Sequence, residues 1–410
     1  MNTTSPISRR GPSAPVGIVA LVPERWHSIA QTTRHHVMSH LAQHFEVVWV
    51  EPSINWREYL STPSWLADSA AIFSAAPRLH VLPARCSTPR VWWPPALARA
   101  LERRRLQTAI HLLHNRGCTQ FVLYVWRPEF ESAVDAVQTD LICYHIDDEY
   151  TFSSVETEIP PNELRLLHRA DLVFIHSLEL MRKKGHFNPA TLHVPNGVDY
   201  QAFVRERAEP VDLAAVPRPR VGYVGVIKQH LDLDLALSLA RSRSDLSLVF
   251  VGPISVLGNQ ARAMAGLRAQ PNCHFFDRRP AQDIPAYVQH LDVCALWYVL
   301  NGYTKFIYPL KLHEYLAAGR PVVSTRLPAL SEFGGTVRFA DTATEWSDAI
   351  DECLQPDASS ASVVDQRRRI ARVHDWDTLV GTIAQSIRSS LSSYGGNSST
   401  QSVTGIAGNR

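Results

Sequence analysis

Short apolar runs of strand length, each followed by residues with helical periodicity, set the strongest limit on how this chain can fold. The first two runs are residues 16–22 and 45–50, and a helical stretch at 37–41 separates them. A strand, a helix and a second strand in this order predict a parallel pair joined by a right-handed crossover. Because the pattern recurs along the chain, it predicts an α/β fold built on parallel sheets.

The recurring pattern falls into two arrays, separated by residues 205–219, which are rich in proline, alanine and charge. Further strand-like runs are residues 121–125, 141–146 and 170–177 in the first array and 220–227, 246–251, 273–276 and 292–297 in the second. The predicted parts are a Rossmann-like domain at 14–204, a linker at 205–219, a second Rossmann-like domain at 220–375, a final helix at 376–393, and disordered ends at 1–13 and 394–410.

Composition excludes several function classes. The 410 residues contain 41 Lys and Arg and 39 Asp and Glu, and this balance carries no nucleic-acid signature. The six cysteines form no C-x-x-C pair, which argues against a zinc site and for buried thiols in a reducing compartment. No apolar run reaches the about 18 residues of a membrane span, and residues 1–12 lack the apolar core of a signal peptide. We therefore expect a cytoplasmic protein.

Residues 308–325 predict a helix with both ends defined. Pro309 suits a first helical turn, and Gly319 suits the left-handed cap that follows a last turn. Lys311 near the positive end of the helix suits a phosphate, and Glu314, one turn later, could accept hydrogen bonds from adjacent sugar hydroxyls. The alternative is a solvated ion pair on an ordinary amphipathic helix.

The string P-L-K-L-H-E-Y-L-A-A-G-R-P-V-V-S-T resembles the donor-site segment of GT-B glycosyltransferases, in the group that includes family 4. The resemblance implies a GT-B fold, with two Rossmann-like domains facing across a cleft and a C-terminal helix crossing back. It also implies that Glu314 holds the ribose of a nucleotide-sugar and that the helix start, with the loop before it, holds the diphosphate. Phe306 departs from the family, because many family 4 enzymes carry an acid there, near the transferred sugar. The identity of the sugar therefore stays open.

The start of the second array, G-Y-V-G-V-I-K, is similar to the first donor-domain loop of the same group. On that resemblance Gly225 lets the backbone approach a phosphate. Val226 replaces an arginine of many family 4 enzymes, so Lys228 is the predicted phosphate contact, together with Lys305 and Thr304 in a later loop. Alternatively, the two lysines are simply solvated.

Three acidic residues, Asp147, Asp148 and Glu149, follow the strand predicted at 141–146. Catalytic groups are expected at the carboxyl end of a parallel strand, and adjacent carboxylates raise one another's pKa, which suits a general base. The segment Y-H-I-D-D-E resembles the Y-x-x-x-D element of GT-B enzymes that build bacterial polysaccharides. That resemblance implies Asp148 as the base and Asp147 as its neighbour. The alternative is that the acids cap the next helix.

The loop after the first strand, residues 23–33, contains no glycine, which excludes a G-x-G-x-x-G dinucleotide site. Its run W-H-S-I-A-Q-T-T-R-H-H resembles the acceptor-side loop of the same glycosyltransferase group. On that resemblance His27, Gln31 and Arg34 are predicted on the acceptor side, as is Arg127 after the strand at 121–125. The alternative for each is an ordinary polar surface position.

Trp92 and Trp93 precede a helix predicted at 96–114, which carries several arginines between Arg99 and Arg105. Paired tryptophans beside a basic amphipathic helix are typical of a membrane interface. This pattern predicts peripheral contact with the inner face of the cell membrane. The alternative is that the leucines of the helix face the sheet and the arginines face water.

Together with these patterns, the resemblance implies a hexosyltransferase-like enzyme that moves a sugar from a nucleoside-diphosphate-sugar to a hydroxyl of a glycan or lipid-linked acceptor, in bacterial cell-surface or exopolysaccharide synthesis. Because no D-x-D motif stands where a GT-A enzyme would bind a metal, we expect neither a metal nor any cofactor beyond the nucleotide-sugar co-substrate. A base at Asp148 implies inversion, whereas family 4 likeness implies retention. The alternatives are a sugar-nucleotide epimerase of similar two-domain fold and an inactive nucleotide-sugar-binding homologue.

Overall fold

In the computed structural model the described residues are 15–27, 32–54, 71–84, 90–91 and 93–397. Gln31 and Trp92, both singled out by the sequence, lie outside these ranges. The N-terminal segment 1–13 and the end of the C-terminal tail, 398–410, for which the sequence predicts disorder, lie outside them as well.

The apolar runs of the N-terminal half form one sheet of eight strands. In chain order they are β1 (Val16–Leu21), β2 (Glu46–Val50), β3 (Phe73–Ala76), β4 (Leu79–Leu82), β5 (Gln120–Val125), β6 (Leu141–Ile146), β7 (Leu172–Ile175) and β8 (Thr191–His193). The spatial order is β3-β4-β2-β1-β5-β6-β7-β8, and only β3 runs antiparallel to its neighbour among these described strands. The order reverses between β1 and β5, and such a switch point is where α/β sheets bind ligands.

Helices cover both faces of this sheet. They are α1 (Thr33–Leu41), α2 (Pro95–His114), α3 (Pro161–Arg169) and α4 (Leu178–Lys184). Ile18 and Ala20 of β1 pack in the layer that includes α1, whereas Val19 packs in the layer that includes α2 and α3. This alternation along a doubly buried strand leaves the carboxyl edge of the sheet for ligand contacts.

The second half repeats the plan with a sheet of six parallel strands. Two short helices, α5 (Tyr200–Val204) and α6 (Val211–Ala214), come first. The strands are β9 (Arg220–Val224), β10 (Ser247–Val251), β11 (Cys273–Phe276), β12 (Val293–Leu296), β13 (Val322–Ser324) and β14 (Val337–Phe339), in the order β11-β10-β9-β12-β13-β14. The helices around them are α7 (Leu233–Ser242), α8 (Ala261–Arg268), α9 (Ile284–Gln289), α10 (Lys311–Ala317), α11 (Ala343–Leu354) and α12 (Ala361–Arg372). The switch point lies between β9 and β12.

The chain passes from the first core to the second earlier than the linker predicted at 205–219. Val194 is buried in the first core, whereas Val198 is already buried in the second. Leu213, on α6 within the predicted linker, is fully buried in the second core. Residues 205–219 therefore pack as part of the second domain, because their leucine fills its apolar interior.

The last helix, α13 (Trp376–Asn397), returns to the first domain. Its apolar residues Trp376, Ile383 and Leu391 are buried in the same layer as α1. This confirms the predicted crossing of the C-terminal helix and, with the two parallel sheets, the predicted α/β architecture. Among the described helices, none combines the length and apolar composition needed to cross a membrane.

The two passages between the domains lie against each other at Gly197. The Val198 N–H donates to the carbonyl of His374 at 3.0 Å, and the Trp376 N–H donates to the carbonyl of Val198 at 3.1 Å. A Cβ on Gly197 would stand 2.7 Å from the His374 carbonyl oxygen and 2.8 Å from the Trp376 ring. Only glycine permits this approach.

We predict that Gly197→Ala destabilises the protein, because the new methyl group must displace backbone. Overpacking of this kind costs about 1–3 kcal/mol, and the unfolding midpoint in urea measures it. The matched control is Gly381→Ala on α13, where a Cβ meets nothing within 4 Å and alanine stabilises a helix by up to about 1 kcal/mol. Equal stabilities of the two variants would contradict the packing described at Gly197.

Candidate active site

The donor-side residues predicted from the sequence lie on α10. Leu312 and Leu316 are fully buried in the second core, and Gly319 has the left-handed φ of 76° expected after the helix. The helix itself begins at Lys311, two residues after Pro309, and has only 7 residues. Because a short helix has a weak dipole, the charge of Lys311 supplies most of the positive potential at this end.

Gly225, directly after β9, is packed against the side chain of Lys311. Its φ is 147°, and a Cβ there would stand 2.0 Å from the Cε of Lys311. Gly252, after β10, packs against the backbone of Gly225, since a Cβ on Gly252 would stand 2.3 Å from the carbonyl oxygen of Gly225. The absence of side chains at both positions lets the Lys311 amine lie across the carboxyl end of β9, at the switch point of the second sheet.

Glu314 is partly buried and does not form the simple surface ion pair that was the alternative. Within the described part of the chain, its carboxylate accepts no hydrogen bond and forms no salt bridge with Lys311. Burial raises the pKa of Glu314 to about 7, and the charge of Lys311 acts in the opposite direction. A partly buried carboxylate without a hydrogen-bond partner among the described residues is suited to accept hydrogen bonds from the paired hydroxyls of a ribose.

Lys228 is an exposed residue in the segment that follows β9. Desolvation lowers the pKa of Lys228; the carboxylate of Asp148 raises it again, and the charge of Lys311 lowers it further. Lys228 therefore interacts electrostatically with an acid of the first domain and with a cation of the second. Like Lys311, it forms no ion pair within 4.0 Å among the described residues.

Asp148 follows β6 at the carboxyl edge of the first sheet and faces the cleft. Its Oδ1 accepts the N–H of Glu149 at 2.8 Å, and its Oδ2 accepts the hydroxyl of Tyr303 at 2.9 Å. Desolvation, helped by the neighbouring carboxylate of Asp147, raises the pKa of Asp148 to about 6. The acids do not cap the next helix, since α3 begins only at Pro161.

Asp147 is held differently from its neighbour. Arg34 donates to its Oδ1 at 2.8 Å, and the hydroxyl of Tyr150 donates to the same oxygen at 3.0 Å. The other side of the Arg34 guanidinium pairs with Glu24. The two adjacent acids thus divide into one that is neutralised by an arginine and one that faces the cleft.

The other residues predicted on the acceptor side have different surroundings. Arg34, predicted to face an acceptor, is instead occupied by Asp147 and Glu24 in a buried site. His27 is exposed and stacks on Phe73 at 5.5 Å, and Gln31 lies outside the described residues. Arg127 pairs with Glu129, and its guanidinium lies 4.9 Å from the ring of Tyr150, beside the acidic loop.

Two predicted donor contacts have other partners. Thr304 is fully buried; its hydroxyl donates to the Val299 carbonyl and accepts the Asn301 N–H at 2.9 Å. It shapes its own loop and does not present a hydroxyl to the cleft. Lys305 forms an ion pair with Glu156 of the first domain, at the rim of the cleft. The sequence cannot reveal this partner, because no local pattern connects the two residues.

A buried ion network behind the acidic loop is absent from the sequence-based predictions. Lys184 is fully buried, with its Nζ 2.7 Å from Glu163 Oε1 and 3.3 Å from Glu149 Oε2. Lys183 also lies 3.3 Å from Glu149. These pairs fix the backbone that carries Asp148. Tyr303 is the other residue that was missed, although its loop was identified through Thr304 and Lys305.

Comparison with known proteins adds a family match to this geometry. Residues 218–356 match the family described as Glycosyl transferases group 1. A Bacillus subtilis protein named as the teichuronic acid biosynthesis glycosyltransferase TuaH is 29% identical over 227 residues, which cover 53% of this chain and 56% of that protein. The chain thus matches little more than half the length of that relative.

Solved structures resemble the chain over most of its length. A UDP-forming alpha,alpha-trehalose-phosphate synthase from Burkholderia xenovorans, in complex with glucose-6-phosphate, has a TM-score of 0.65 at 13% identity, covering 92% of this chain and 100% of its own. Anabaena HepE, in complex with UDP and glucose, has a TM-score of 0.63 at 16% identity, covering 91% and 99%. WaaG, a glycosyltransferase of lipopolysaccharide biosynthesis, has a TM-score of 0.56 at 13% identity, covering 90% and 98%.

At such identities these structures establish the fold alone. The chain has the GT-B fold, its residues 218–356 carry a glycosyl transferases group 1 domain, and its predicted resemblance to that group of glycosyltransferases is confirmed.

Proposed function

We propose that the chain is a glycosyltransferase that moves a sugar from a nucleoside-diphosphate-sugar to a hydroxyl of a glycan or lipid-linked acceptor in bacterial cell-surface polysaccharide synthesis. The observation that carries this proposal is that a candidate donor site on one domain and a candidate general base on the other share one cleft. Lys311 and Glu314 stand on the second domain and Asp148 on the first, with Lys228 between them. The names of the Bacillus relative and of WaaG support the polysaccharide context, and the UDP in the HepE complex supports the donor class.

The donor binds to the second domain in this proposal. Lys311 and Lys228 contact the diphosphate, which approaches the backbone at Gly225, and Glu314 accepts hydrogen bonds from the ribose. Both lysines lack a carboxylate in contact among the described residues, so their charge is available to an anion. The same cations stabilise the nucleoside diphosphate as it leaves, where negative charge develops in the transition state.

Asp148 acts as the general base. The acceptor hydroxyl attacks the anomeric carbon, its proton passes to the Asp148 carboxylate, and the bond from that carbon to the diphosphate breaks. A pKa of about 6 places this base close to neutral pH, which suits proton transfer. Direct displacement with a side-chain base inverts the anomeric configuration, so we propose inversion. Arg127 and His27, on the first domain, stand on the acceptor side.

We further propose that the first domain touches the membrane through a surface formed by Trp93, Leu97, Arg99, Arg103 and Arg104. Trp93 is 83% exposed and Leu97 47%, and Arg99, Arg103 and Arg104 of the same helix are exposed too. The second half of α2 is different, because Leu106 and Leu113 pack on the sheet. Arg105, included in the sequence-based prediction, instead bonds Ser53 and the Glu51 carbonyl and lies outside this surface.

Glu314→Ala should weaken donor binding by about 10- to 100-fold, because hydrogen bonds to a charged group contribute ~1.5–3 kcal/mol. Isothermal calorimetry with a panel of nucleotide-sugars at pH 8, where Glu314 is ionised, measures the effect. The control is Asp348→Ala, which removes an exposed acid from α11 of the same domain and should change nothing. Equal affinities of wild type and Glu314→Ala would refute the donor site.

Asp148→Asn should lower transfer by about 100- to 10,000-fold, since an amide cannot take the proton, while donor affinity stays unchanged. In the wild type, with donor and acceptor saturating, kcat should fall as pH drops below about 6, where Asp148 becomes protonated. Release of nucleoside diphosphate with acceptor present gives the rate. Near-normal turnover by Asp148→Asn would remove the base assignment.

The same assay distinguishes inversion from retention and a glycosyltransferase from a sugar-nucleotide epimerase. NMR of the product should show the inverted anomer, and nucleoside diphosphate should appear only when acceptor is present. A retained anomer contradicts the base at Asp148. Free epimerised nucleotide-sugar formed without acceptor contradicts the transferase and supports the epimerase.

Replacing Trp93 and Leu97 together by serine should reduce binding to vesicles of phosphatidylglycerol by at least ~10-fold, because each large apolar side chain contributes about 1.5–3 kcal/mol on burial. Binding should also fall with salt, since the arginines act through screened charge. Co-sedimentation measures both effects. Val256→Ser on the second domain, an exposed apolar residue far along the chain, is the control. Binding that is equal for all variants would contradict the membrane surface.

A further inference from the structure

A loop of the second domain lies directly on the first. We call residues 301–306 the docking loop; it follows β12. The N–H of Gly302 donates to the Ser154 carbonyl at 2.7 Å. A Cβ on Gly302 would stand 2.6 Å from that oxygen and 2.7 Å from the nitrogen of Glu156. The two backbones are therefore as close as a glycine allows.

Side chains at the end of the docking loop extend this contact. Phe306 is only 2% exposed and is buried in the apolar cluster of the first domain that includes Tyr150 and Leu180. Lys305 pairs with Glu156. The position where many family 4 enzymes carry an acid is thus occupied here by an apolar contact between the domains.

Tyr303, in the middle of the docking loop, touches the proposed base. Its hydroxyl donates to Asp148 Oδ2 at 2.9 Å, and its ring lies 5.7 Å from Phe152 and 4.6 Å from His230. The other oxygen of Asp148 is held by Glu149, from its own loop. One oxygen of the carboxylate is therefore fixed by the first domain and the other by the second.

Building on the proposed transferase function, we propose that Tyr303 is a positioning residue, which holds Asp148 in its reactive orientation only while the docking loop lies on the first domain. Two donors on opposite oxygens prevent the carboxylate from rotating. Each oxygen keeps a second lone pair, so the carboxylate can still accept the proton of the acceptor hydroxyl. When the domains separate, Tyr303 leaves with the second domain and one of the two restraints is lost.

This arrangement makes proton transfer depend on domain contact. A base that is correctly oriented only in the closed cleft works when water has been excluded, so the sugar passes to the acceptor and not to water. The dependence requires the phenolic hydroxyl itself. A phenylalanine would keep the ring contacts with Phe152 and His230 but could not hold the carboxylate.

The first test compares Tyr303→Phe with Tyr287→Phe. Tyr287 also donates to a carboxylate, Asp212, at 2.8 Å, but within the second domain, and its variant should behave as wild type. Tyr303→Phe should lower kcat about 10- to 100-fold, as expected for loss of a hydrogen bond to a charged group, with donor affinity unchanged. Because that hydrogen bond lowers the pKa of Asp148, its loss should move the acidic limb of the pH–rate profile to higher pH.

An unshifted pH profile in Tyr303→Phe would overturn the proposal, since a merely structural tyrosine would not change the titration of the base. The same shift can be measured without turnover, by NMR titration of the Asp148 carboxyl carbon, assigned with Asp148→Asn. A wild-type chain that binds donor but transfers no sugar refutes the transferase. The NMR titration still decides whether Tyr303 acts on Asp148.

The second test addresses the docking itself. Glu156→Lys and Lys305→Glu each place like charges together, so each should increase hydrogen exchange of residues 301–306 and 152–156. Combining the two substitutions exchanges the charges and should restore both the protection and kcat. Unchanged exchange in both single variants, or no recovery in the double variant, would overturn the contact between the docking loop and the first domain.

Discussion

Two parallel sheets present their carboxyl edges to one cleft, and this constraint decides which residues of the chain can meet. Asp148 follows β6 of the first sheet, and Gly225 follows β9 of the second. Groups that are distant in sequence become neighbours because each stands at a strand end or just beyond it. Tyr303 and Asp148, 155 positions apart, are the clearest case. The chemistry proposed for the cleft depends on this meeting of edges.

The charged groups around the cleft fall into those with an ion-pair partner and those without one. Arg34 neutralises Asp147, which leaves Asp148 as the acid that faces the second domain. The buried pair of Lys184 with Glu163, together with Glu149, anchors the same loop from behind. On the opposite side Lys311 and Lys228 remain available to an anion. Buried ion pairs contribute little net stability, so their main effect here is to fix the loop that carries Asp148, the proposed base.

Local patterns in the sequence were sufficient for the alternating strands and helices, for the cap at Gly319 and for the position of Asp148 at the carboxyl end of a strand. Patterns of this kind report on contacts within a few residues or along one face of an element. They could not identify the partners of Arg34, Lys305 or Tyr303, because those contacts join separate elements or domains. Thr304 illustrates the limit: it was predicted to contact the donor, but its hydroxyl donates to the Val299 carbonyl within its own loop.

The close passage of the chain at Gly197 has a mechanical consequence. Two segments cross between the domains side by side and are joined by hydrogen bonds through Val198, so a relative rotation of the domains would pivot at this point. Asn196 also binds the Tyr308 carbonyl, and His313 of α10 stacks on His374 at 3.8 Å. The pivot therefore adjoins α10, which carries Lys311 and Glu314. A rotation at this pivot would displace the far side of the first domain much more than it would displace Lys311 and Glu314.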